Sequence, residues 1–216
     1  METDPQGNMP KTLQKIAYVN IHKSADLEFL LWDLQDAIAA YARLSGTALP
    51  CSVDLKAHDA DGIVLAVEDM PDDEAMSAVS RALDRFGDTG TRVYVVVQDT
   101  RGRTEEARMF VERLRHACKL RKLTWCGGVV VCADSGIAAL RHSPRMGLLR
   151  RPFSEAMDKL VGAVRMGCSV EHAQRLGGSD AGGIAADGTV CAKPAVPTPI
   201  WHAVIKRLGA HAQSNS

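Results

Sequence analysis

Apolar residues along this chain fall into two patterns that take turns. Short apolar runs occupy residues 15–20, 62–67, 92–97 and 127–132, and apolar positions three and four apart fill the intervals between them. Runs such as Gly62-Ile-Val-Leu-Ala-Val67 and Arg92-Val-Tyr-Val-Val-Val97 predict strands covered on both faces. Residues 48–55 form a weaker strand candidate, interrupted by Pro50. The first helical stretch sets Leu27, Leu30, Leu31, Leu34, Ile38 and Tyr41 on one face, with Ser24 as its cap and Gly46 as its stop. A second carries Met76, Val79, Leu83 and Phe86 and closes at Gly87. A third starts at Thr104, with Glu105 and Glu106 in its first turn, and buries Ala107, Phe110, Val111, Leu114 and Cys118. Phe153, Met157, Leu160, Val161 and Val164 mark a fourth, after a mixed segment that runs to Arg151. Five strand candidates alternating with helices predict an α/β domain with a parallel sheet between two helix layers.

The pattern changes after residue 176. Gly177, Gly178, Gly182, Gly183, Pro194, Pro197 and Pro199 predict a loop, with a small hairpin turn at Asp187-Gly188. Residues 200–208 read as a short closing helix that carries Trp201. The expected organisation is a disordered polar tail over 1–14, a core domain over 15–176, and a Gly/Pro-rich loop with a helix over 177–216 packing on that same domain. No internal repeat is evident.

Composition narrows the function classes. The 216 residues suffice for one well-buried core. Lys+Arg and Asp+Glu balance at 26 each, so the global charge selects neither nucleic acid nor an anionic membrane as partner. Charged residues interrupt every apolar run before it reaches membrane-span length, and the polar start lacks a signal-peptide core. The cysteines, Cys51, Cys118, Cys126, Cys132, Cys168 and Cys191, include no C-x-x-C pair. That spacing suits reduced thiols in a cytoplasmic protein and argues against zinc or iron–sulfur ligation.

Several stretches resemble the flavodoxin-like NAD(P)H-dependent FMN reductase family. They are Lys15-Ile-Ala-Tyr-Val-Asn20, Asp59-Ala-Asp-Gly-Ile-Val-Leu65, residues 77–87, Val95-Val-Val97 with Glu105-Glu-Ala107, and Gly127-Gly-Val129. Pro197-Thr-Pro-Ile-Trp-His202 is similar in placement to that family's closing segment. The likeness covers the chain from Lys15 onward. It implies a three-layer sandwich with a five-stranded parallel sheet in the order 2-1-3-4-5. It also implies FMN at the carboxyl edge of the sheet, NAD(P)H as electron donor, a small-molecule electron acceptor and a homodimer, or pairing with a related subunit.

Ligands of open parallel sheets sit beyond the carboxyl ends of the strands, which directs attention to three loops. In the first, the family has a Gly-Ser-x-Arg-type segment that cradles the FMN phosphate; this chain has the shorter His22, Lys23 and Ser24. These three could supply part of a phosphate seat, or a solvated loop with a helix cap. Asp26 and Glu28 in the next turn would repel a dianion. In the second loop, Glu68, Asp69, Asp72, Asp73 and Glu74 stand where the family places an aromatic and backbone donors along the flavin. Five carboxylates disfavour a reduced, negatively charged flavin. They could hold Mg²⁺ or Ca²⁺, but acids after Pro71 are also an ordinary helix start, and no metal is assigned. The third loop contributes Gln98, Thr100, Arg101, Gly102 and Arg103; its arginines suit an anionic cofactor or an exposed turn.

The remaining candidates have plainer readings. The basic segment 141–151 could contact a dinucleotide phosphate or a partner, and reads first as a solvated connection. His22, His58 and His142 lack the spaced partners of a triad, so no catalytic residue is named. Cys126 reads as packing, and Trp32 as core or subunit contact. Two functions follow. One is an FMN reductase, in which the flavin does the chemistry and the protein orients it. The other is a relative without flavin, acting as a binding or interaction subunit.

Overall fold

The structure, a computed structural model, describes residues 12–53, 59–68, 73–86, 90–102, 104–178 and 183–214. In chain order, β1 (Lys15–Asn20) leads into α1 (Ala25–Ser45), and β2 (Cys51–Val53) is followed by β3 (Gly62–Glu68) and α2 (Asp73–Leu83). Next come β4 (Arg92–Gln98), α3 (Thr104–Leu120) and β5 (Thr124–Val131). The chain ends with α4 (Arg151–Met166), α5 (Val170–Leu176), β6 (Thr189–Ala192) and α6 (Thr198–Ser214). The named strands form one parallel sheet in the order β2-β1-β3-β4-β5-β6.

The expected order 2-1-3-4-5 is present, and a sixth strand extends it. The glycines and prolines of 177–199 predict a loop, yet Thr189–Ala192 pairs with Gly128–Val131. Four residues among glycines and prolines carry little periodicity, so only the open edge of β5 makes a strand of them. The turn at Asp187-Gly188 was legible: Gly188 has φ 81°, and the Ala185 N–H donates to the Thr189 carbonyl at 2.8 Å. The Pro50 segment is an edge strand of three residues.

Alternation along the central strands divides the core in two. Val64, Ala66, Tyr94, Val96, Val129 and Val131 face α1, α4, α5 and α6. Ile63, Leu65, Val67, Val93, Val95, Val97 and Val130 face α2 and α3. Each such buried valine, leucine or isoleucine contributes about 1.5–3 kcal/mol. The α1 ends are built as the sequence implied: the Ser24 hydroxyl accepts from the Leu27 N–H, and Gly46 takes φ 62°. Gly87 and the Thr104 side chain lie outside the described residues.

The segment 141–151 is not the solvated connection its charge pattern implied. Arg150 is buried and ion-paired with buried Asp33 of α1. Arg145 bridges Asp33 at 2.9 Å and Asp158 of α4 at 2.8 Å. Arg150 also lies 5.2 Å from the Phe29 ring, and Arg141 lies 4.8 Å from the ring of half-buried Trp32. These arginines tie α1 to the start of α4, and Trp32 belongs to that packing.

Candidate functional site

The first loop is a tight link, and most of its polar groups are already engaged. The His22 Nδ1 accepts from the Glu68 N–H at 3.0 Å, fastening the end of β1 to the end of β3. Exposed Lys23 adopts φ 54°, a left-handed conformation that turns the chain into α1. The Ser24 hydroxyl takes the Leu27 N–H at 3.3 Å, and the Ser24 carbonyl takes that of Glu28 at 3.0 Å. An anion seat at a helix start needs such donors open. Here they are used, and Asp26 and Glu28 add negative charge. The engaged Leu27 and Glu28 N–H groups and the two carboxylates disfavour an FMN phosphate at this loop.

Asp26 has the opposite character to the one its position suggested. It is buried, and its carboxylate accepts from the Gly136 N–H at 2.7 Å and the Ala138 N–H at 2.8 Å. The Gln98 Nε2 donates to it at 3.2 Å. Those backbone donors belong to a 3₁₀ turn, Ile137–His142, and to the residue before it. A protein carboxylate thus sits where this helical start offers its N–H groups. No sequence spacing pairs residue 26 with residues 136 and 138, so this link was invisible before the fold.

Of the third loop, Gln98 is fully buried and directs its amide toward Asp26 and the Ala133 carbonyl. Thr100 is half-buried. Arg101 pairs with Glu106 at 3.0 Å while its N–H donates to the Asp99 carboxylate. Gly102 has φ 66°. Arg103 lies outside the described residues, as do His58 and the acidic residues Asp69 and Asp72; the Asp73 side chain is likewise undescribed. The sheet edge thus brings together Gln98 with Asp26, and His22 with Glu68, whereas Arg101 lies toward β5 and β6.

On that side a crevice of about 410 Å³ opens at the carboxyl ends of β4, β5 and β6. Arg101, Cys132, Asp134, Lys193, Val196 and Trp201 are among the residues that line it. His202 is paired with Asp134 at its rim. A larger groove of about 920 Å³ lies elsewhere, between α2, α3 and residues 185–187. Among the described residues no cluster of three or more metal-ligating side chains occurs, and no helix is long and apolar enough to cross a membrane. No protein-family model, no curated protein and no solved structure matches this chain.

Proposed function

We propose that this chain is a binding domain of flavodoxin-like architecture that does not seat FMN by its phosphate, and that it holds a small anionic molecule in the β4–β6 crevice. The observation that carries the reading is the exchange of roles along one sheet edge. At the first loop, carboxylates and used-up donors replace an anion seat. At the crevice, Lys193 stands beside the apolar Trp201 and Val196, with Arg101, paired to Glu106, and the carboxylate Asp134 also in the lining.

The test is a titration of the full chain with FMN, read by flavin fluorescence, beside calorimetry with adenosine monophosphate as a small aromatic anion. Saturable adenosine monophosphate binding that Lys193→Gln weakens about tenfold, with no loss for Lys23→Gln, is the expected result. FMN quenching that survives Lys193→Gln and is lost in Lys23→Gln would overturn it.

The second reading, an FMN reductase passing electrons from NAD(P)H to a small acceptor, is favoured by the strand order around β1 and by Arg101 and Gly102 at the end of β4. It requires FMN-dependent oxidation of NADH or NADPH by the purified chain.

A further inference from the structure

Two cysteines far apart in sequence meet at the edge of the sheet. The Cys132 and Cys191 sulfurs lie 2.9 Å apart. Unbonded heavy atoms ordinarily rest about 3.5–4.0 Å apart. Cys132 follows the last residue of β5, and its N–H donates to the Ala192 carbonyl of β6 at 2.8 Å. Cys191 stands opposite Val130, so the two cysteines are diagonal neighbours on one face. That face is covered by α3 over β4 and β5 and left open under the edge strand β6. Val190 and Ala192 are buried on the other face, while Cys191 is exposed and Cys132 half-buried. Cys191 lines a small cavity with Arg108, and Cys132 lines the β4–β6 crevice with Lys193.

We propose that Cys132 and Cys191 are a redox-active dithiol that closes reversibly to a disulfide by exchange with small disulfides. Accessibility assigns the roles. The exposed Cys191 thiolate attacks one sulfur of the small disulfide, forms a mixed disulfide and releases one thiolate. Cys132 loses its proton and attacks the Cys191 sulfur, releasing the second thiolate and closing the protein disulfide. Two protein thiols are oxidised and one small disulfide is reduced to two small thiols. The exposed Cys191 leaves the bond within reach of a small thiol that can reopen it.

The surroundings favour the same division of roles. The Cys191 thiol is brought down to about 7 by the hydrogen bond from Cys132, helped by Lys193 and Arg108 and opposed by burial and Asp99. Cys132 is pushed up by its Cys191 neighbour and by burial. One sulfur is thus the attacking thiolate and the other the proton-bearing resolver. The pair does not rest on the anion reading, although Cys132 and Lys193 line the same crevice.

The experiment uses the full chain, reduced, freed of reductant and exposed to oxidised glutathione, then alkylated, digested and mapped by mass spectrometry. The expected product is a Cys132–Cys191 linked peptide that dithiothreitol opens. Cys132→Ser should instead accumulate a lasting glutathione adduct on Cys191. In the reduced chain at pH 7, iodoacetamide should label Cys191 several-fold faster than exposed Cys51, and Lys193→Gln should reduce that advantage. A wild-type chain that stops at the glutathione adduct without the linked peptide overturns the proposal. So does a Cys191 labelled no faster than Cys51.

Discussion

Asp33 faces two arginines, and the surrounding core decides what that is worth. Its side chain and that of Arg150 are almost completely buried, so neither charge has water to fall back on. Removing one partner of such a pair strands the other and costs about 3–5 kcal/mol. Asp33→Ala should therefore lower stability by about that amount in urea denaturation. Glu155→Gln, which breaks the exposed i,i+4 pair with Arg151 at 2.7 Å, should change it by about 0–1 kcal/mol. Equal losses from the two variants would mean that Asp33 is solvated in the folded protein. The contrast was not available from the sequence, where both carboxylates sit in polar positions of helices and the basic segment 141–151 reads as surface.

At the scale of an element, β5 owes its place to two glycines. Gly128 passes so close to β4 that an added Cβ would lie 2.0 Å from the Val95 carbonyl oxygen. Gly127 has φ 86° and would press a Cβ to 2.2 Å from the Gly188 oxygen. The β4–β5 register slips between Val93 and Val95 at this point, and the Trp125 Nε1 donates to the Asp187 carbonyl at 2.7 Å. The glycine pair thus lets β5 lie against β4 on one side and the 185–188 turn on the other. Gly128→Ala should cost about 3 kcal/mol, at the upper end of overpacking changes. Gly46→Ala should cost only the left-handed backbone preference, about 1–2 kcal/mol, because nothing lies within 4 Å of the new Cβ. Thermal denaturation of the two variants checks the order, and a larger loss at Gly46 would contradict it.

For the whole molecule, the buried acids that stay protonated set an alkaline limit. Burial pushes the Cys118 thiol up to about 12 and raises the Tyr18 and Tyr94 hydroxyls. In the unfolded chain these groups lose their protons from about pH 8.5 for cysteine and about pH 10 for tyrosine. The folded state then binds more protons than the unfolded state, so stability falls as pH rises. The slope is up to about 1.4 kcal/mol per pH unit for each group in its window. Denaturation midpoints should hold near neutrality and decline above about pH 9. Tyr94→Phe should flatten the decline above about pH 10. It should also cost about 1 kcal/mol at pH 7, because the hydroxyl donates to the Ala163 and Cys168 carbonyls at 3.2 and 3.1 Å. An unchanged alkaline limb in that variant would remove Tyr94 from the account.

Local pattern determined the alternation of elements, both caps of α1, the Asp187-Gly188 turn and the apolar faces of the main helices. These depend on spacing and on residues within a few positions of one another, and a linear reading holds that information. The parallel sheet followed from runs covered on both faces, and its order from the resemblance. Tertiary structure alone decided the rest. A four-residue strand exists because β5 offers an open edge. Asp26 is a buried acceptor because the chain returns 110 residues later with two N–H groups to satisfy. Arg150 is buried because Asp33 and two aromatic rings await it. Cys132 and Cys191 meet across 59 residues because their strands pair in parallel. In each case the energy belongs to a contact between distant segments, and the environment that gives a side chain its role is made only when those segments meet.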